Sequence, residues 1–578
     1  MSLFRSPLAL IAASGLVCAA PAAAQMVVDI PLAVGFPAPG LPSATVVSLR
    51  TPTTNDYSIK AMVGTVAGPG INTSNNMLLW RVGTVAELVA RTGGSIAGLP
   101  SGVTLSSIET PTVNNLGTIV FTGTLQGPGV NAWNNRAIFS GRPRSLRVIA
   151  RTGDEAPEQP AGTLFFTFDA PRLSDTDKVI FSSTVTGAGT NLGTNQLVCY
   201  GDASQLRALA RTGGNVPGIP GARFAILGDP VISPTGSAAF TGVLTNFVGG
   251  VDSSNDVGLW TGVPDAMVLK QRAGAGVPAI TFPGTIDTMS PASINEDSEI
   301  GYTAFLNPRL PNNYPNTLLL IERAGGAVAI AQSTQQVAPG VEIGAIGTPR
   351  MSGQENVAFI STLYGSAVTS TNDTAVFMKL AGELSMLARE GQQAAECPTG
   401  VRYGSFLGVI VNRNGRVCFV ASLVGPGVDS SNDRALFAWD RLKGIDLVVR
   451  SGSSAFLSPT DTRTVGTISV VMDSGNQDGK PTSLGDDGVL IFQIQFTDGS
   501  TAVAARNINR KLADIVDGGG LSPADGTVDG SDFIAFMNAF AVGDTTADIV
   551  NSTGEEPPDG TVDGSDLIAF INSFASDM

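Results

Sequence analysis

Histidine is absent from all 578 residues. That excludes Ser-His-Asp and Cys-His catalysis, His-ligated zinc and imidazole pH switching together. Cysteine is scarce. Cys18, Cys199, Cys397 and Cys418 are too few for a disulfide-stapled scaffold. Cys397 and Cys418 fall in one repeat and either pair or remain two buried thiols. Charge is thin as well, at 14% Asp, Glu, Lys and Arg. Basic residues nowhere cluster, so phosphate recognition has no footprint and a nucleic-acid partner is not expected. Beyond the first 24 residues no apolar run approaches the ~18 residues of a spanning helix, so no membrane insertion is expected either.

What is abundant is turn-forming and apolar. Gly numbers 69 and Pro 35, yet 43% of the chain is hydrophobic, so there is ample surface to bury. This combination reads as an all-β chain rich in tight turns. Residues 1–24 have the pattern of a secretory signal: Arg5, an apolar stretch from Leu8 to Ala20, and Ala22-Ala23-Ala24 before Gln25. The mature protein is therefore expected to be exported, extracellular or on the cell surface.

From residue 25 to about 510 a phrase returns roughly every 60 residues. Its clearest copies are Asn114-Asn115-Leu116-Gly117-Thr118-Ile119-Val120-Phe121 and Asn412-Arg413-Asn414-Gly415-Arg416-Val417-Cys418-Phe419. Asn, a Gly three residues on and an aromatic four further read as a turn feeding a buried strand. The aromatic recurs at Phe121, Phe181, Phe240, Tyr302, Phe359, Phe419 and, after an insertion, Phe492. Counting back places Ala61 and Tyr57 at the aromatic and Gly positions of a degenerate first unit. A second marker, Arg-x-Gly, falls at Arg91, Arg151, Arg211, Arg272, Arg389 and Arg450, with Gln332 in the decayed slot, at intervals of 57–61 residues. Eight units result.

Each unit holds four strand candidates. In the second they are Thr104–Ile108, Thr118–Leu125, Arg136–Ser140 and Leu146–Ala150. A loop such as Gly127-Pro128-Gly129-Val130-Asn131-Ala132-Trp133-Asn134-Asn135 joins the middle pair. It returns as Gly68–Asn76 and Gly425–Asp433, with Val251–Asp256 a relative. Four short strands per unit make the blade of a β-propeller, whose sheets must stack to cover their apolar faces. An eight-bladed propeller is expected, with a β-solenoid or a line of small domains as the competing architecture. The eighth unit stops after a third strand, Thr501–Asn507, whereas Val27–Val34 resembles a fourth. The N-terminal strand is therefore expected to complete the last blade and remove its open edge.

Residues 511–578 follow another rule. They hold thirteen Asp or Glu against Lys511 alone, twelve of the formal fifteen negative charges. Asp525-Gly526-Thr527-Val528-Asp529-Gly530-Ser531-Asp532 returns 34 residues later as Asp559-Gly560-Thr561-Val562-Asp563-Gly564-Ser565-Asp566. Each copy precedes a helical apolar stripe, Phe533, Phe536, Met537 and Phe540, then Leu567, Phe570, Ile571 and Phe574. Carboxylate, Gly, carbonyl donor, carboxylate and carboxylate match positions 5, 6, 7, 9 and 12 of an EF-hand loop. Val528 and Val562, at position 8, would tie the two loops together. Leu521 and Pro523 stand where positions 1 and 3 need carboxylates. Asp514 and Asp517, repeated as Asp548 and Asn551, would serve instead across an insert of about seven residues in both copies. Two calcium ions are expected, held by Asp514, Asp517, Asp525, Thr527, Asp529 and Asp532, and by Asp548, Asn551, Asp559, Thr561, Asp563 and Asp566.

Paired loops ending in Asp, each followed by one amphipathic helix, resemble a dockerin, and the lengthened loop resembles the GC-type dockerin of exported planctomycete-like bacterial proteins. The Asn-x-x-Gly-x-x-x-Phe body resembles the choice-of-anchor tandem-repeat proteins. The resemblance implies a small α-helical, EF-hand-like calcium-binding tail that docks on a cohesin-like or envelope protein. It implies no activity for the body, whose ligand stays unknown.

The leading expectation is therefore an exported, non-catalytic binding or cell-surface assembly protein. A propeller hydrolase of extracellular polysaccharide is the alternative, because such chemistry needs only two carboxylates. A purely structural envelope component is the third. Carboxylates of several blades converging in a pocket would favour the enzyme, and an open channel lined by turns would favour binding. The Gly-Pro-Gly-Val-Asn loops could form a ring of ligand contacts, but recurrence favours Asn and Asp bonding their own backbone. By the same logic the marker arginines are expected to bridge neighbouring blades.

Overall fold

In the computed structural model, residues 29–508 are described, apart from Ala279, 311–313, 442–443, Pro459, Asp473 and Asn476. C-terminal to these, Ile515, Val528, 530–544, Ala547, Ile549 and 561–577 are described. The expected signal segment, residues 1–24, lies outside the described residues.

The repeat folds as eight antiparallel sheets arranged as the blades of a β-propeller. Blade 2 shows the pattern. Strand A runs as Thr104–Ile108 and, past a kink, Thr112–Val113; B is Ile119–Gln126, C is Arg136–Gly141 and D is Arg147–Arg151. The four expected strands are all present. Both pieces of strand A pair with B. The phrase Asn114–Gly117 is the A–B turn, in which Gly117 takes φ +75°, a conformation that costs glycine nothing.

The aromatic of the phrase sits in B opposite a C-strand residue. Phe121 faces Phe139 with ring centroids 5.3 Å apart, and Phe359–Phe377 and Phe419–Phe437 repeat the pair at 5.2 and 5.3 Å. The apolar cores lie between blades rather than within them. Ala61, Val63 and Leu79 of blade 1 pack with Leu105, Phe121 and Phe139 of blade 2. The series ends with Ile491 and Val503 of blade 8 packing on Val46, Met62 and Trp80 of blade 1. A line of units would leave that last pair of faces wet, so the closed ring replaces the solenoid alternative.

Closure follows the expected route. Asp29–Ala33 pairs antiparallel with Thr501–Asn507, matching Leu32 to Val503 and Ala33 to Ala502. The N-terminal strand is thus the fourth strand of blade 8.

One register differs from expectation. In blade 1, Thr53 pairs with Ala61 as Thr112 pairs with Val120, so Met62, not Ala61, stands at the aromatic position. The positive-φ residue of the turn is Ser58, at +58°, not Tyr57. Counting back by 60 failed because Met62 lies 59 residues before Phe121, and the turn, with Ser58 where blade 2 has Gly117, carries no glycine to correct the count.

In the C-terminal segment, α1 (Gly530–Val542) and α2 (Gly564–Asp577) follow the duplicated motif. Phe536 and Phe570, equivalent across the 34-residue offset, stack with centroids 3.9 Å apart. Val528 and Val562 join the same apolar cluster.

Candidate functional site

Three repeated features offered themselves as sites: the A–B turns, the B–C loops and the marker arginines. Each proves to be spent largely on the fold. In the A–B turn of blade 2, Asn114 Oδ1 accepts from the amides of Leu116 and Thr118, at 3.1 and 2.9 Å. Its Nδ2 reaches the next blade, donating to the Ser174 carbonyl and to Asp177 Oδ1, both at 2.8 Å. Asn55 Nδ2 likewise donates to the Asn114 carbonyl at 2.8 Å and Asn412 Nδ2 to that of Gly485 at 2.9 Å. The phrase asparagine therefore shapes its own turn and ties it to its neighbour. Asn114→Ala is expected to destabilise the protein by about 1–3 kcal/mol for each buried partner left unsatisfied. Denaturant unfolding reads this, and an unchanged midpoint would remove the asparagine from the blade-to-blade ties.

The B–C loops bond themselves, as expected. Asn131 Oδ1 accepts from Trp133 N at 2.9 Å, and Asn134 Oδ1 from Asn131 N at 2.8 Å. In blades 4 and 7 the Ser254 and Ser431 hydroxyls and amides donate to Asp252 and Asp429. Those hydrogen bonds hold both carboxyls below the usual range.

The arginines depart from expectation. Arg91, Arg151, Arg211, Arg272, Arg389 and Arg450 each donate through Nε to the carbonyl of a B–C loop of their own blade, at 2.5–3.0 Å. They brace that loop rather than bridge blades. Bridging falls to the glycine of the marker: Gly93 N donates to Leu105 O, and Gly153 N to Phe165 O, both at 2.8 Å and both across a blade boundary. At Gln332 the side-chain oxygen instead accepts from the amides of Ile280 and Thr281.

Carboxylates from different blades do meet at the ring's A–B end. Asn115 Nδ2 donates to Asp56 Oδ2 of blade 1 at 2.5 Å and to Asp175 Oδ2 of blade 3 at 2.8 Å. Burial pushes the Asp175 carboxyl up, against the bonds from Asn115 that lower it. Asn55, Asp56, Asn115 and Asp175 line a cavity there with Gln477 and Lys480. The last two belong to the insertion between strands A and B of blade 8. Sequence reasoning registered that insertion, from the 73 residues between Phe419 and Phe492, but gave it no role. The channel is thus neither open nor lined by turns alone: Gln477, Asp478 and Thr482 of the insertion are buried within it.

The cysteines contribute no chemistry to this arrangement. Cys199, Cys397 and Cys418 are free, and burial pushes all three thiols up, away from the reactive thiolate. Cys397 and Cys418 therefore do not pair. Cys18 lies outside the described residues.

Of the expected calcium ligands, Asp514, Asp517, Asp525, Thr527, Asp529, Asp548, Asn551 and Asp559 also lie outside the described residues. Asp532, Thr561, Asp563 and Asp566 lie inside. Asp532 Oδ1 accepts from Ile515 N, and Asp566 Oδ1 from Ile549 N, each at 2.8 Å. Asp566 Oδ2 also accepts from Asp563 N at 2.9 Å, and Asp563 Oδ1 from Ser565 N at 2.7 Å. The two copies thus make the same clasp, in which the last carboxylate of the motif holds an amide 17 residues upstream. Among the described residues no three Asp, Glu or Cys gather as a metal site, and no helix is long and apolar enough to cross a membrane.

The model of a family of unknown function, DUF7453, matches residues 32–267 and again 247–508. The chain belongs to this family. The first DUF7453 match ends inside blade 4, before its last strand; the second overlaps it over residues 247–267, starting in the B–C loop of that blade, and runs through blade 8, so the model matches about half a ring each time. No curated relative matches the chain. Solved structures share the propeller shape distantly. A puromycin hydrolase mutant complexed with PGG is 10% identical, with TM-score 0.36, covering 72% of this chain and 58% of its own. The β-propeller domain of the Trilobed protease from Pyrococcus furiosus is 11% identical, with TM-score 0.36, covering 70% of this chain and 99% of its own. Pyrococcus horikoshii acylaminoacyl peptidase is 9% identical, with TM-score 0.36, covering 74% of this chain and 58% of its own. This DUF7453 chain spans little more than half the length of the two enzymes.

Proposed function

We propose that the protein is a non-catalytic binding or assembly scaffold, in which a rigid propeller is attached or docked through a calcium-folded, dockerin-like tail. The observation that carries this reading is the duplicated clasp, Asp532 on Ile515 and Asp566 on Ile549. A bare acidic terminus has no reason to repeat one carboxylate–amide bond at the same spacing. A segment this short and this acidic also gains from a cation that offsets its charge and orders its loops. The described donors, Asp532, Thr561, Asp563 and Asp566, are all oxygens and suit a hard ion such as calcium. Each carboxylate has about four acceptor positions, so holding backbone amides is compatible with ligating a metal.

The helices offer a surface for a protein partner. Ile534 and Met537 of α1 and their 34-residue equivalents Ile568 and Ile571 of α2 are exposed, so the repeat presents one apolar pair twice. In the body, Asp56 and Asp175 do meet at a cavity, but Asn115 holds both carboxylates, and the other asparagines, arginines and loop carboxylates are committed to turns and blade contacts, which supports a scaffold over a hydrolase. Calorimetry of the full chain with calcium and with chelator tests the reading. A low-temperature transition that rises with calcium, and that Asp532→Ala with Asp566→Ala abolishes, is expected. A thermogram indifferent to calcium rejects the calcium-folded tail.

A further inference from the structure

The insertion in blade 8 follows a path that none of the other A–B turns takes. After strand A (Asp461–Ser469) the chain enters the centre of the ring and visits the blades in descending order. Arg350 Nε of blade 6 donates to the Met472 carbonyl at 3.2 Å. Glu296 N of blade 5 donates to Gln477 Oε1 at 3.0 Å. Ile232 N of blade 4 donates to Asp478 O at 3.2 Å, and Leu173 N of blade 3 to Gly479 O at 2.9 Å. Asn114 and Asn115 of blade 2 share a cavity wall with Lys480 and Thr482. Thr54 N of blade 1 then donates to Thr482 O at 2.9 Å, before Gly485 takes the bond from Asn412 of blade 7. A stretch of about a dozen residues thus makes one circuit of the ring, oxygens facing outward to donors on the blades.

The circuit is close-packed. A Cβ on Gly475 would lie 1.7 Å from the Met351 carbonyl oxygen, and one on Gly479 would lie 2.4 Å from Ile232 Cγ2. Its inner turn is set by Asp478, fully buried, whose Oδ1 accepts from Ser474 Oγ at 2.7 Å and from Lys480 N at 3.3 Å. The donor residues Thr54, Leu173 and Ile232 are buried as well.

We propose that Met472, Ser474, Gly475 and residues 477–485 form an internal strap, a second ring lock independent of the N-terminal strand. In an ordinary propeller each blade touches only its neighbours, so one blade can peel away at the cost of two interfaces. Here the strap is hydrogen-bonded to blades 1, 3, 4, 5, 6 and 7. Loosening any of these also breaks a bond to a segment that the other blades hold, which makes opening cooperative. The strap also takes the axis at this end out of use as a ligand route, so a ligand of the body would meet the opposite face or the outer rim.

Hydrogen–deuterium exchange on the full chain tests this, together with Gly479→Ala and Gly499→Ala. Both glycines have positive φ, +72° and +84°, but Gly499 has no atom within 4 Å of an added Cβ. The pair therefore separates wedging from backbone strain. In the wild type the amides of Thr54, Leu173 and Ile232 are expected to exchange as slowly as the blade cores. In Gly479→Ala all three are expected to lose protection together by about tenfold or more, while Gly499→Ala leaves them unchanged. Loop-like exchange of these amides in the wild type overturns the proposal, and so does equal behaviour of the two variants. If Gly479→Ala does not fold, wild-type exchange decides alone.

Discussion

Deleting Asp29–Ala33 is expected to open blade 8 and make the protein aggregate. The strand lies between two cores: Leu32 packs into the interface with blade 1, and Ala33 into the interface with blade 7. Val34 N extends the pairing by donating to Thr501 O at 2.9 Å. Without the strand, Thr501–Asn507 becomes an edge whose amides and carbonyls are open to another chain. The single change Leu32→Ala keeps the hydrogen bonds and removes only the packing, so its cost is about 2–5 kcal/mol. Denaturant midpoints and light scattering check both. A truncated protein that scatters no more light than the wild type and has an unshifted midpoint would show that the strand is dispensable.

Phe419→Ala is expected to cost about 3–5 kcal/mol, the range for emptying an aromatic site in a packed core. Phe419 is 0% exposed. Its ring lies 5.3 Å from that of Phe437, 5.7 Å from Phe406 and 6.0 Å from Tyr403, so truncation leaves a hole that three rigid rings cannot fill. Phe247→Ala is the control. That side chain is 93% exposed, and its loss is expected to stay within about 0.5 kcal/mol. Equal unfolding midpoints for the two variants would contradict the assignment of the phrase aromatic to the inter-blade core.

Much of the fold was legible because the repeat advertises its turns. Asn114, Gly117 and Phe121 state where a chain reverses, which residue tolerates the reversal and which side chain is buried, and all three requirements are local. The same locality explains the success with the B–C loops, where Asn131 and Asn134 need no partner beyond five residues. The reading slipped where the signal lay in another segment. The residues beside Arg151 do not name its partner, and only the folded sheet brings the Asn134 carbonyl to its Nε. Blade 1 slipped by one residue because Ser58 does a glycine's work. Of the site in the tail, the duplication and its helices could be read directly, whereas the bond from the Ile549 amide to Asp566 could not.

By itself the sequence determined the number of blades, the strands in each, the open place in blade 8 and the segment that fills it. These depend on turn chemistry, alternation and length, which a chain carries in its own order of residues. Only the tertiary structure decided that the insertion after Ser469 travels through the centre of the ring and meets the blades one by one. That path depends on backbone oxygens and amides, which every residue carries alike, and their partners are set by where the ring places them.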